Sequence, residues 1–188
     1  MKRIFLISAF LSSCLLANSE ISTNYTYKDY ENSKTKTQGK TLDYRFLHNF
    51  ENSQITVNYE DSLTKRENEI TKAKLTSLEV EKLSMKYLYN ISDVLSFKTS
   101  FINIEDNLAP TDNGKIYGLG LSKSIDNSNE LKVDTYLSDY DDFNVNQYDL
   151  TFVKKFKFND INFMGQTGVK YIDINGSEYG NYTLKDNY

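Results

Sequence analysis

Apolar and polar side chains alternate along most of the chain in about ten short segments. The pattern is clearest at 147–171. Tyr148, Leu150, Phe152, Phe156 and Phe158 share one parity there, while Gln147, Asp149, Thr151, Lys155 and Lys157 share the other. After the turn pair Asn159-Asp160, the apolar set resumes as Ile161, Phe163, Val169 and Tyr171 against Asn162, Gln166, Gly168 and Lys170. A period of two is that of paired strands with two unlike faces. The same reading places strands near 21–30, 41–50, 54–62, 79–90, 95–104, 115–125, 130–139, 147–158, 161–172 and 180–188, ten in all. Residues 63–83 are ambiguous, because Leu63, Ile70, Leu75, Leu78 and Leu83 among many Lys and Glu fit either a short helix or a charged loop running into strands.

The predicted connections alternate in length. Asn52-Ser53, Ser92-Asp93-Val94, Asn127-Ser128-Asn129 and Asn159-Asp160 are tight and turn-prone, whereas 31–40, 61–78, 105–114, 140–146 and 173–179 are long. Pro110, the sole proline, falls in a long link and interrupts no ladder. Residues flanking a hairpin turn must share a face, and they do. Phe50 is expected opposite Ile55, His48 opposite Val57 and Phe46 opposite Tyr59. Tyr89 is set against Phe97, Met85 against Phe101, Leu121 against Thr135 and Leu119 against Leu137. Phe158 meets Ile161, Phe156 meets Phe163 and Tyr148 meets Tyr171.

One face therefore stays apolar through successive turns, and the other collects Asp43, Arg45, Glu60, Lys86, Lys98, Lys132, Asp134, Asp149, Lys155 and Lys170. Full charges on one face and large aromatics on the other favour an apolar exterior over an apolar core. Phe50, Tyr89, Phe156, Phe158 and Phe163 lie near the short turns, and Tyr44, Tyr59, Tyr117, Tyr148, Tyr171 and Tyr182 toward the long links, as two membrane girdles would require. Lys123 and Lys154 break the rule by falling on the apolar face. Both adjoin short turns, where a snorkelling lysine costs about 0–1 kcal/mol against about 2–4 kcal/mol at the bilayer midplane.

The first residues add a compartment. Met1-Lys2-Arg3 followed by the apolar stretch 4–17 has the order of a signal peptide, with cleavage expected after Ala17 or Ser19, so that 1–19 is leader and 20–188 one domain. Leu11-Ser12-Ser13-Cys14 also resembles a lipoprotein box, although Leu15 and Leu16 continue the apolar run past the cysteine. Cys14 is the only cysteine, so a chain cut after it forms no internal disulfide. The net charge of −4 is spread along the chain, and no basic stripe of the kind that binds nucleic acid is present.

In hairpin rhythm, aromatic bands and terminal Tyr188, with Tyr182 and Leu184 on the same face, the chain resembles small bacterial outer-membrane β-barrels of the eight- to twelve-strand class. Asp186 departs from the apolar pattern usual at the closing strand of that class. The resemblance implies an all-β, up-and-down antiparallel transmembrane barrel with short periplasmic turns and long extracellular loops. It also implies location in the outer membrane of a Gram-negative cell, with outer-membrane lipid, lipopolysaccharide and the barrel assembly machinery as partners. Enzymes of the class work through His with carboxylates or Ser. Here the one histidine, His48, sits with Leu42, Tyr44, Phe46 and Phe50 near a periplasmic turn, which reads as an interfacial polar tip. No nucleophile, phosphate-loop or metal motif is present, so no catalytic, cofactor-binding or metal residue is expected, and no cofactor. Asp134, Asp139, Asp141 and Asp142, and separately Glu105, Asp106 and Asp112, form acidic groups open to a calcium or lipopolysaccharide-bridging role or to simple solvation. Lys65, Arg66, Lys72 and Lys74, interspersed with Glu67 and Glu69, read as a mixed-charge loop or a lipid-phosphate contact. The leading expectation is a non-enzymatic surface barrel acting in envelope integrity or adhesion. The alternatives are a narrow porin-like channel or transporter and a soluble periplasmic lipocalin-like binding barrel.

Overall fold

A computed structural model of the chain describes residues 18–30, 33, 35–108, 111–141, 143–158 and 161–176. Nine strands follow one another: β1 (Ser19–Asp29), β2 (Lys36–Asn49), β3 (Ser53–Glu67), β4 (Lys74–Ser92), β5 (Leu95–Asp106), β6 (Gly114–Ser124), β7 (Asn129–Asp139), β8 (Phe143–Phe158) and β9 (Ile161–Gly176). They form one sheet in chain order, each strand antiparallel to its predecessor, with β1 and β9 as its two edges among the described residues. These are the first nine expected strands. The tenth, at 180–188 with Tyr182, Leu184, Asp186 and Tyr188, lies outside the described residues, as do 1–17 with Cys14, Pro110, Asp142 and the turn Asn159-Asp160.

The ambiguous stretch 63–83 is strand on both sides of a short tip. Leu63 pairs with Glu79, Thr64 with Leu78 and Glu67 with Lys74, while 68–73 turn the chain. Asn68 closes that tip, since its side-chain oxygen accepts from the amides of Ile70 at 3.0 Å and Thr71 at 2.9 Å, and its own amide donates to the Ala73 carbonyl at 2.9 Å. An Asx turn of this kind offers the backbone an alternative to helix, and Lys72 completes it at φ 56°. Pairing also continues past the apolar part of the strands, so the long connections contract to 30–35, 68–73, 107–113 and 140–142. The opposite connections are 50–52, 93–94, 125–128 and 159–160. The alternation in length survives except at 140–142, where Asp139 pairs with Asn144 and strand replaces the expected loop.

Register agrees with expectation at two hairpins and slips by two residues at two. Met85 faces Phe101, Tyr89 faces Phe97, Phe156 faces Phe163 and Tyr148 faces Tyr171. His48, however, faces Ile55 and Phe46 faces Val57, because Phe50 belongs to the turn and donates its amide to the Ser53 carbonyl at 2.7 Å. Leu121 likewise faces Val133 and Leu119 faces Thr135. There the Asp126 carboxylate accepts from the amides of Ser128 at 2.7 Å and Asn129 at 2.8 Å, drawing the turn back to 125–128. A slip of two leaves every side chain on its face. Irregular pairing occurs only near strand ends, at Lys36/Gln38, Thr64/Arg66 and Asn90/Ser92.

β6 has a seam of small residues. Gly114, Gly118 and Gly120 are buried on one face; Tyr140 covers Gly114, and over Gly118 and Gly120 side chains of β5 and β7 reach one another. Lys98 of β5 meets Asp134 of β7 across Gly120, so side chains converge on this face, the more buried of the two and here termed concave. A Cβ at Gly120 would collide with the Asp134 carboxylate and stand 2.9 Å from Lys98 Cε, and one at Gly118 would strike Ser100 and Tyr136. Gly165 on β9, by contrast, has nothing within 4 Å of such a Cβ. We expect Gly120→Val to destabilise the sheet by about 1–3 kcal/mol through overpacking. Gly165→Ala should stay within about 0.5 kcal/mol of wild type in the same urea titration.

Candidate functional site: an apolar outer belt around a charged concave face

The convex face carries the apolar set, strand after strand. Neighbouring positions across the sheet include Val57, Met85, Phe101, Tyr117 and Leu137, and the next row runs Ile55, Tyr87, Thr99, Leu119, Thr135 and Tyr148, with two threonines among its apolar members. These side chains face outward: Leu119, Leu121 and Val133 are each about half exposed, and Val169 is 70% exposed. On several strands the run is bounded by polar residues of the same parity. Tyr117, Leu119 and Leu121 lie between Lys115 and Lys123; Leu131, Val133 and Leu137 between Asn129 and Asp139; Tyr148, Leu150 and Phe152 between Asn146 and Lys154. The eight-residue step from Lys115 to Lys123 is about 27 Å of strand. That length suits an apolar band of about 25 Å on tilted strands. Aromatic rings pair across the belt, with centroids 5.3 Å apart for Phe101–Tyr117, 5.3 Å for Phe156–Phe163 and 6.2 Å for Tyr148–Tyr171.

The concave face holds the charges. Lys98 Nζ lies 2.5 Å from Asp134 Oδ1 and 3.5 Å from the Tyr136 hydroxyl; Lys132 lies 3.6 Å from Glu130, and Lys82 3.5 Å from Glu60. The Asp134 and Glu130 side chains are 15% and 18% exposed, less than the leucines of the convex face. Asp149 stands directly opposite Asp134 in the register. Its Oδ2 accepts from Gln147 at 2.7 Å, and its Oδ1 is buried with no hydrogen-bond partner among the described residues. Two carboxylates facing one another repel, and the Lys98 ammonium relieves that repulsion on the Asp134 side. Among the described residues the only buried hydrophobic side chains are Leu47 and Val153. A sheet that tucks its ions inward and leaves its aliphatic residues out is inverted relative to a water-soluble domain.

The residues singled out in the sequence fall into place around this arrangement. His48 Nδ1 lies 2.7 Å from Ser19 Oγ, and its ring meets the Phe50 ring edge-on at 4.4 Å. The pair joins the start of β1 to β2. Sequence reasoning missed Ser19, which lies 29 residues away and reaches His48 only through the β1–β2 register. Lys123 and Lys154 lie near the short turns, as expected, with Lys123 opposite Leu95 and Leu131, and Lys154 opposite Asn129.

The acidic residues of the β5–β6 connection bond to the loop itself. Asp112 accepts from the Asp106 amide at 2.8 Å, while Asp106 accepts from the Leu108 amide at 3.1 Å and the Thr111 hydroxyl at 2.8 Å. Asn113, at φ 56°, donates to Asp141 at 3.2 Å and links this loop to the β7–β8 connection. Among the described residues no three His, Cys, Asp or Glu side chains gather as a metal site would require. Lys65 donates to Gln38 at 3.3 Å.

No protein-family model, curated protein or solved structure matches the chain.

Removing one partner of a partly buried ion pair strands the other charge, which is worse than removing both. Lys98→Met should therefore cost about 1–3 kcal/mol more than the double variant Lys98→Met, Asp134→Asn, as a double-mutant cycle on unfolding will measure. At the β6–β7 turn, hydrogen bonds from Asn129 and Ser128 hold the Asp126 carboxyl below its ordinary value of 3.8. A depressed folded value stabilises above the unfolded one and is lost as acid protonates the folded carboxylate. The stability difference between wild type and Asp126→Ala should thus be constant near neutral pH and shrink below pH 3.8.

Proposed function

We propose that this chain is an integral outer-membrane β-barrel protein of a Gram-negative cell, a non-enzymatic one, acting at the surface in envelope integrity or adhesion. One observation carries the reading: aliphatic and aromatic side chains lie exposed on the convex face, while Lys98, Asp134 and Glu130 are withdrawn into the concave one. A water-soluble binding barrel would set the same two faces the other way round. Acyl chains are the environment in which Leu119, Val133, Leu150 and Val169 lose nothing by facing out. Lys123 and Lys154, at the short-turn margin of the belt, are placed to reach lipid phosphates.

Closure follows from the same reading. An open sheet edge is not tolerated in hydrocarbon, because its backbone groups find no water there. The proposed barrel therefore requires that β1 and β9, the two edges among the described residues, find partners for their free backbone groups. The longer connections 30–35, 68–73 and 107–113 share one end of the sheet and form the extracellular face, the part available to lipopolysaccharide or to another cell.

The test is a pair of substitutions read in lipid vesicles. Leu119→Arg, at the middle of the belt, should cost about 2–4 kcal/mol of folding free energy, whereas Lys123→Arg at its margin should cost about 0–1 kcal/mol. Folded wild-type protein should also migrate differently on gels before and after heating. Equal tolerance of arginine at both positions, together with release of the protein from membranes by carbonate, would overturn the reading.

A further inference from the structure

The concave face holds a partly open pocket of about 250 Å³ between β4, β5, β6 and β7. Three ammonium groups line it, those of Lys86, Lys98 and Lys132, against two carboxylates, Asp134 and Glu130. The two carboxylates are already engaged: Asp134 holds Lys98 at 2.5 Å and Glu130 lies 3.6 Å from Lys132. Lys86 is left over. It makes no hydrogen bond or ion pair among the described residues, and around it the like charges of Lys98, Lys132 and Arg45 stand against the attraction of Asp134. The Ser122 side chain contributes polar lining beside it, and Gly120 leaves the floor of the cavity open.

An unneutralised ammonium confined with two paired ones creates a local positive potential, which low-dielectric walls strengthen. The residues that line the pocket carry one net positive charge, with Asp149 opposite Asp134 just outside the lining, and the volume of about eight waters is enough for one compact oxyanion with part of its hydration. We propose that Lys86, flanked by Lys98 and Lys132, forms a binding site for a small anion such as phosphate or a short carboxylate inside the charged face. Lys86 is the direct ligand; Lys98 and Lys132 add field while remaining tied to their carboxylates. The site rests on the concave geometry and not on the membrane assignment.

Inorganic phosphate is the probe. Calorimetric titration of detergent-folded wild type with phosphate at low ionic strength should show saturable binding to one site. Lys86→Met should weaken it about tenfold or more, the scale of one lost charge-assisted contact. Lys155→Met, a lysine of the same parity outside the cavity, should leave it unchanged. Excess chloride should compete. Heat-modifiable mobility on the same samples reports barrel closure separately from the site. Should Lys86→Met fail to fold, Lys132→Met carries the comparison, with an expected weakening of a few-fold through the lost field. Absence of saturable binding by folded wild type, or equal loss with Lys155→Met, would overturn the proposal.

Discussion

The ladder of backbone hydrogen bonds joining β1 to β9 fixes which way each side chain points, and every other property of the molecule follows from that fixed parity. Eight antiparallel pairings succeed one another, and their irregularities sit near strand ends. Because successive residues alternate faces, one displaced residue in mid-strand would send Leu119 inward and Gly118 outward. None of the pairings does this in the middle of the sheet, so the apolar and charged faces remain distinct across nine strands.

Two unlike faces then meet different energetic demands. The convex face gains little from neighbours, since its aliphatic residues are about half open, and it needs an apolar surrounding. The concave face must satisfy ions at close quarters, and it does so by long reach: Lys98 passes over the strand between and ends on Asp134. Only a strand without side chains at that point permits the crossing, which makes Gly120 as much a part of the ion pair as the two charges. The cavity and its surplus lysine exist because small residues on β6 leave room there.

Period two made the strands and their faces readable from sequence, and the pairs Phe156–Phe163 and Met85–Phe101 were readable in register as well. The β2–β3 and β6–β7 hairpins were misjudged by two residues, since the choice of turn depends on where single groups bond. Phe50 and the Asp126 carboxylate decide it, and alternation is blind to a shift of two. At 63–83 the density of Lys and Glu suggested a helix or a loop; Asn68 turned the segment into the tip of a hairpin instead. Contacts beyond adjacent strands left no trace in a linear pattern. Lys98 with Asp134, and the grouping of Lys86 with both Lys98 and Lys132, needed the curvature of the sheet.

The scarcity of buried hydrophobic side chains has a thermodynamic corollary. Apolar hydration on unfolding is what gives globular proteins their large heat-capacity increment and steep denaturant dependence. Here Leu47 and Val153 are the only hydrophobic side chains buried among the described residues, so the apolar surface that water would meet on unfolding belongs mostly to the convex face. Cooperativity in such a chain resides in the backbone ladder, and the heat-capacity increment of leaving an apolar surrounding for water would report the convex face more than any core.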